Sequence, residues 1–575
     1  MTNQSRQPGD LNGHSGFILA VFCLVSIFVI YPIKIPLPRI IKRILLSILV
    51  RTKIIDEQES RELSACQHSV WLSLTTAPVI GVILLLATTT INGTTIQLGI
   101  VGDDNVKPYD VLVLFISLAY ISIALDGTGA LEAIAFYVSK RGGNSGRLLF
   151  AYLYGFFLLT GCIVGNDPLI MSGTPFLAYL THHTGLEPTA WVFSEFMAAN
   201  TASAVLVSSN PTNILIAGSF ELNFLTGFTK WTILPSIIPA AVTYPILLAM
   251  FWNKIPKKLE PLTEDPWLKL RDKTGALFLS VLMLVTVAVL VGTSFVPGHA
   301  VQVWMVTAPA GVLGFVFNVM SDWLHPDTQR ESVRRQSSDK AADTHPIKQV
   351  SIQTNRATSA VENSGPEILS SPSSVSPKMA AKEADQSSRQ STLTSVVRSL
   401  AHRFPGTTRT VIRLPIALLP FAMCEFILVR GLAQRGWIST FAHGFANACT
   451  DPAKTVFFMG FVSAACLCPL AGTNIGATII LVEIMRDPAF AESGAVMKDS
   501  RIMAGAIYSV AMGSNIGAFS YTFAGSLAGL LWRSLLADKA IHVSQLKFGL
   551  VNAIPLLMQI TLASTIVLGE LYWFY

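Results

Sequence analysis

A chain of 575 residues with 51% hydrophobic and only 13% charged residues is no ordinary soluble domain, which carries about a quarter charged residues. The mean hydropathy is +0.52, and apolar stretches of about 18 residues recur, long enough to cross a hydrocarbon core about 30 Å thick. The formal charge of +6 fits basic loops on one side of a bilayer and implies no nucleic-acid partner.

Hydropathy predicts an all-α integral membrane protein with about ten transmembrane helices. The run at 16–33 lacks a basic leader and a small-residue cleavage site, so it is expected to be a permanent span. A basic amphipathic stretch at 39–53 is expected to lie on the cytoplasmic leaflet. Spans follow at 69–90 and 109–125, then a short piece at 130–140. A half-length apolar pair comes next, 148–164 and 169–180, then a broken span, 188–228, and a full span, 232–252. The order then repeats: spans at 275–295, 301–320 and 410–429, a short piece at 437–448, a half-length pair at 456–470 and 475–485, a broken span at 502–535 and a last span at 548–569. The seven cysteines are scattered, and Cys466 and Cys468 have no second pair to complete a metal site.

This order predicts two repeats, 1–252 and 275–575, joined by a connector at 253–274. Each holds a re-entrant hairpin (about 146–181 and 453–486) and a broken helix (about 188–228 and 500–538). A half-length pair enters and leaves on one side, so each repeat crosses an odd number of times and the second is inverted. Matched interruptions in inverted repeats are the signature of secondary transporters. Basic residues at 34–61, 140–147, 254–273 and 330–413 assign those segments to the cytoplasm. The sequons at Asn3 and Asn92 then fall on the opposite side. Residues 322–405 are Ser-rich with few aromatics and are expected to form a disordered cytoplasmic loop, with the RRQSS stretch at 334–338 its place for regulatory phosphorylation.

Four polar breaks interrupt the apolar runs: Gly165-Asn166-Asp167-Pro168, Ser208-Ser209-Asn210-Pro211-Thr212-Asn213, Ala471-Gly472-Thr473-Asn474 and Met512-Gly513-Ser514-Asn515-Ile516-Gly517. Unwound backbone at membrane depth survives only when buried in protein or lining a wet cavity. Gly and Pro permit the break; Asn, Ser and Thr supply neutral donors and acceptors. Helix N-termini present positive dipole ends and freed carbonyls can hold a cation. Two breaks from each repeat meeting near the midplane would form a binding site. Its expected members are Asn166, Asp167, Ser209, Asn210, Thr212, Asn213, Gly472, Thr473, Asn474, Gly513, Ser514 and Asn515.

The stretches GGNSGRLLFAYLYGFFLLTGCIVGNDPLIMSGTP, SSNPTNILIAGSF and GSNIGAFSYTFAGSLAGLLW resemble the ion transporter superfamily, in its arsenite-permease and citrate-transporter-like branch with the P-protein-like permeases. The resemblance covers nearly the whole chain outside the Ser-rich loop. It implies a scaffold and a transport domain, elevator-type movement and often a homodimer. It also implies that Asn166 and Asp167 form the first hairpin tip, that Ser209, Asn210 and Asn213 form the first unwound loop, and that Ser514 and Asn515 form the second. The second tip reads Thr473-Asn474, where arsenite permeases usually carry an Asn pair. Neither tip carries the Ser-Asn-Thr triad of the di- and tricarboxylate carriers.

An acid at membrane depth is a functional candidate by default. Asp167, at a hairpin tip, leads for proton coupling; a helix N-cap is its structural alternative. Glu195 and Glu425 lie inside spans and are further coupling candidates. Glu483 and Asp126 lie nearer span edges and are expected to be structural, and His182-His183 to be interfacial. The expected function is a secondary active transporter, proton-coupled with Na+ as the alternative, for a small anion or oxyacid of the citrate or arsenite class. An uncoupled anion channel of the same fold is the alternative. No HExxH, Ser/His pair or Walker signature is present, so neither an enzyme nor a self-contained ATP pump is expected, and no catalytic residue, cofactor or metal is assigned. The expected partners are a small solute and membrane lipids, in a plasma or vacuolar/endomembrane setting.

Overall fold

The computed structural model describes residues 11–36, 47, 69–102, 107–259, 265–293, 295–296, 301–324, 400–401, 403–416 and 418–575. Packing divides the chain into two units. The first comprises Met1–Ile35, Val70–Leu324 and Gly406–Tyr575; the second comprises Pro36–Ser69 and His325–Pro405. Few residues of the second are described. The amphipathic stretch at 39–53 (Ser47 apart), Asn3 and RRQSS at 334–338 all lie outside the described residues.

The first half opens with α1 (Gly13–Ile30), capped by the Asn12 side chain on the backbone N–H of Ser15. Two four-residue strands, β1 (Ile33–Pro36) and β2 (Ser69–Leu72), pair, a small exception to the all-α expectation. The span expected at 69–90 is thus a strand followed by a 12-residue helix, α2 (Thr76–Ala87), too short to cross alone. The sequon residue Asn92 caps α3 (Gly93–Val101). Then come α4 (Pro108–Gly127) and α5 (Ala130–Arg141), joined at Gly129, whose φ of +81° favours a residue without Cβ.

The hairpin arms are α6 (Gly146–Val164) and α7 (Asn166–His183), 19 and 18 residues long and not half-length as expected. The interrupted segment is α8 (Thr189–Ala202), a 3-10 turn at Val207–Ser209 and α9 (Pro211–Ser219). It ends there, because the π-helical turn Phe224–Thr229 runs directly into α10 (Lys230–Met250).

The second half starts with α11 (Lys273–Thr293) and α12 (Val303–Leu324). The expected loop start at 322 is still helical. The span expected at 410–429 is divided: α13 (Pro405–Arg413) and α14 (Leu418–Gln434) are separate, with Pro415 between them removing a backbone donor. Next come α15 (Trp437–Ala448) and α16 (Pro452–Phe461), the latter continued through a π turn (Val462–Leu467) to Leu470. The second hairpin arm is α17 (Asn474–Arg486), and the second interrupted segment is α18 (Ser500–Ile516), two 3-10 turns and α19 (Leu527–Asp538). The chain closes with α20 (Gln545–Trp573).

Among the described residues nine helices are long and apolar enough to span a membrane: the chain is an integral, multi-pass membrane protein. Exposure separates two kinds of helix. α11 turns Leu277, Val281, Leu284 and Val285 outward, as a lipid-facing helix does. Every residue of α8 is buried, and α18 is buried over nearly its whole length, so protein encloses both.

Apolar burial alone does not hold such a core, because lipid tails are as apolar as Leu; close packing of small residues does. A Cβ on Gly513 would lie 2.6 Å from that of Ser463, and one on Gly517 2.7 Å from the Cys468 sulfur. Both glycines let α18 approach the second hairpin to backbone distance. An aromatic cluster joins the halves: Phe196 of α8 stacks on Trp532 of α19 at 4.7 Å, and Phe523 lies 4.2 Å from Phe548 of α20.

Candidate functional site

The four breaks are helix ends, and each element that starts there begins on residues suited to a start. Gly165 stands between α6 and α7 with φ +93°. A Cβ there would meet the Ser209 carbonyl oxygen at 2.8 Å, so only Gly lets the hairpin tip touch the 3-10 turn. Asn210 caps α9, its Oδ1 accepting from the Thr212 N–H at 3.1 Å and the Thr212 hydroxyl at 3.0 Å. Pro211 follows at the first helical position, where its missing N–H costs nothing. Thr473 caps α17 by accepting from the Gly476 N–H at 3.3 Å. The fourth break departs from expectation: Gly513, Ser514 and Asn515 are helical, in the last turns of α18, and the chain leaves the α-helix only after Ile516.

The two halves interlock through Asn515. Its Nδ2 donates to Asn213 Oδ1 at 2.7 Å, and its Oδ1 accepts from Asn210 Nδ2 at 2.8 Å and from the Ser203 hydroxyl at 3.0 Å. Asn213 Nδ2 donates to the carbonyls of Ser203 and Leu206 at 2.7 and 2.9 Å, satisfying backbone that the break after α8 sets free. The Ser514 hydroxyl donates to Thr212 Oγ1 at 3.2 Å.

Both hairpin tips reach this network. Asn474 Nδ2 donates to the Ser514 carbonyl at 3.2 Å. Asn166 Nδ2 donates to Asn200 Oδ1 at 3.0 Å, and the Asn200 carbonyl accepts from the Ser203 hydroxyl at 2.8 Å. All these residues are buried except Leu206, which is half-buried. Among the described residues, no cationic side chain takes part in these bonds.

The remaining expected members stand apart. The Ser209 hydroxyl donates to the Cys162 carbonyl of the first hairpin. Gly472, at φ +80°, packs against Val29 of α1. Among the described residues, Asp167 meets the network only through its backbone N–H, which donates to Asn166 Oδ1 at 2.9 Å.

Glu195 and Glu425 are fully buried and lie outside the network. Glu195 Oε2 accepts from the Thr174 hydroxyl at 2.9 Å, while Oε1 has no partner among the described residues. Neither carboxylate oxygen of Glu425 has one. Gly476 of the second hairpin faces it, a Cβ there standing 3.5 Å from Oε2. Glu483 pairs with Arg430 at 3.5 Å and Asp126 with Arg413 at 2.6 Å. His182 and His183 are exposed at the end of α7.

Sequence reasoning missed Asn200, Ser203 and the pair Thr201–Gln559. Gln559 of α20 accepts from the Thr201 hydroxyl and donates to Thr243 Oγ1, both at 2.7 Å. The signal was present: Asn200, Thr201 and Ser203 are a cluster of polar residues at the end of a mostly apolar segment.

A small apolar cleft, with room for about 20 Å³, adjoins the network. Leu112 and Phe115 of α4 and Ala422 and Phe426 of α14 line it, with Pro211 and Ile475, which follow Asn210 and Asn474 in the chain.

Residues 68–334 match the citrate transporter family model. The chain is similar to the arsenical pump membrane proteins of Escherichia coli (31% identity over 145 residues, 24% of this chain and 33% of that protein) and of its strain K12 (30% over 181 residues, 30% and 41%). It is also similar to that of Yersinia enterocolitica (33% over 148 residues, 25% and 34%). The chain thus spans between a third and about two-fifths of the length of the curated relatives it matches. The solved YdaH transporter of Alcanivorax borkumensis aligns over 97% of this chain and 98% of its own at 12% identity, with a TM-score of 0.47. The family model and the arsenical pump relatives lie in the arsenite-permease and citrate-transporter-like branch that the polar-break motifs resemble.

Proposed function

We propose that the protein is a secondary active transporter, coupled to protons, for a small oxyacid or anion. One observation carries the reading: neutral amides and hydroxyls from both halves meet, buried, at or near helix ends. Side chains that bond one another across two halves can exchange those bonds for a solute's oxygens without creating an unpartnered buried group. A lining of Asn, Ser and Thr suits a weakly charged oxyacid such as arsenite better than a multivalent carboxylate, whose desolvation calls for cationic partners.

The two halves act as inverted repeats. The hairpins and the interrupted segments move as one body past α4 and α14; the apolar cleft between those helices and the starts of α9 and α17 supports this reading. Asp167, Glu195 and Glu425 are the coupling candidates. The two glutamates, buried with unpartnered oxygens, are the stronger on the geometry, because an ionised carboxylate so placed is costly and a neutral one is not. Na+ is the alternative coupling ion. The Ser-rich loop is cytoplasmic, the membrane is the plasma membrane or an endomembrane, and the working unit is a homodimer.

The test uses purified protein in liposomes loaded with a pH dye. Arsenite, citrate, succinate, sulfate and phosphate are added singly, beside Asp167→Asn, Glu195→Gln and Glu425→Gln. Solute-dependent proton movement with accumulation against a gradient is expected, abolished in one of the three variants. Conduction that never accumulates solute would replace the carrier with a channel, and accumulation driven only by a sodium gradient would replace the proton.

A further inference from the structure

Away from the polar network, three arginines gather at the elbow between α4 and α5. The connector brings the first. The backbone N–H groups of Arg271 and Asp272 both donate to the Thr128 carbonyl, at 2.9 and 3.3 Å. Gly129 allows the close contact, since a Cβ there would overlap the Lys269 carbonyl. So anchored, Arg271 places its guanidinium 2.7 Å from Glu132. The other two come from α13. Asp322 fixes the start of that helix, accepting from the N–H groups of Gly406 (3.0 Å) and Thr407 (2.7 Å) and from the Thr407 hydroxyl (2.7 Å). Arg413 then pairs with Asp126 at 2.6 Å. Arg409 lies four residues earlier, on the same helix face.

Among the described residues, Asp126 and Glu132 pair with Arg413 and Arg271, while Asp272 and Asp322 accept from backbone N–H groups at the starts of α11 and α13. Arg409 is half-buried and has no hydrogen bond or ion pair among the described residues. Nη1 of Arg413 is buried and also without a partner. Burial first, and then the neighbouring guanidiniums of Arg413 and Arg271, push Arg409 down to about 10 against the pull of Asp126 and Glu132. A desolvated guanidinium crowded by two others calls for an anion, and the planar fork of Arg matches the oxygens of a phosphate group.

The surroundings say where that phosphate comes from. Trp267 and Leu268 of the connector are 63% and 77% exposed, and Ile412 beside Arg413 is 77% exposed. Exposed Trp and aliphatic side chains flanking basic residues are the composition of a segment lying at the headgroup level of a bilayer. We propose that Arg409, with Arg413 and Arg271, forms a binding site for the phosphate of an anionic phospholipid at the α4–α5 elbow. Bound lipid would brace the connector and α13 against α4.

The test is a thermal-unfolding titration of the full chain, delipidated in detergent, with dioleoylphosphatidylglycerol, dioleoylphosphatidylcholine and inorganic phosphate as separate arms. Phosphatidylglycerol is expected to raise the melting temperature saturably, and phosphatidylcholine not to. Arg409→Gln is expected to raise the half-saturating phosphatidylglycerol fraction about tenfold, the equivalent of losing one charge-assisted contact, while melting normally in phosphatidylcholine. Native mass spectrometry of the wild-type chain, counting retained phosphatidylglycerol against phosphatidylcholine, tests the site even if the variant fails to fold. Identical titrations of wild type and Arg409→Gln, or no preference in retained lipid, would overturn the site. Equal stabilisation by inorganic phosphate would overturn the lipid as its source.

Discussion

At the scale of single residues, Asn515 matters most, because its amide is used in full: it donates to Asn213 and accepts from both Asn210 and Ser203. Asn515→Ala is expected to strand those partners in a buried site at a cost of about 1–3 kcal/mol and to reduce liposome transport at least tenfold. Wild-type flux in this variant would remove the network from the mechanism. Gly165 works by having no side chain. Gly165→Ala is expected to destabilise by about 1–3 kcal/mol through a left-handed backbone and the contact with the Ser209 carbonyl, read as a lower melting temperature. An unchanged melting point would mean that the hairpin tip can shift at no cost.

At the scale of elements, the helix starts govern which way each break points. Asp499 caps α18, accepting from the Arg501 N–H at 3.0 Å and pairing with its guanidinium at 2.8 Å. The Arg501 side chain first, helped by its backbone N–H and opposed by partial burial, holds the Asp499 carboxyl below its ordinary 3.8. A depressed carboxylate stabilises the fold above its unfolded value, and that stabilisation is lost as pH falls through the folded value. Asp499→Asn keeps a competent cap and removes the charge. It is expected to melt below wild type at neutral pH, with the gap closing below about pH 4. A gap that does not change with pH would place the effect in the cap and not in the ion pair.

At the scale of the molecule, the apolar cleft separates α4 and α14 from the starts of α9 and α17. If these surfaces slide past one another, a wedge should slow transport and leave solute binding intact. Ala422→Val, crowding the cleft, is expected to cut transport several-fold while the protein still binds solute, at a loss of stability of about 1–3 kcal/mol. Unchanged transport would mean that the boundary of motion lies elsewhere.

Hydropathy and polar punctuation alone determined the membrane class, most of the spans and the residues at the breaks, because lipid excludes unpaired backbone and so confines Gly, Pro, Asn and Ser to places where protein takes its role. Helix ends were less legible. Thr76–Ala87 proved shorter than its apolar run, Pro415 divided another, and Ser514 and Asn515 stayed helical, since hydropathy does not register where hydrogen bonding stops. Only the tertiary structure decided which polar residues meet. It joined Asn515 to Asn210 and Asn213, some 300 positions away, recruited Asn200, Ser203 and Gln559 from apolar surroundings, and left the Asp167 carboxylate outside the network. Composition states that a buried amide needs a partner; only packing supplies one.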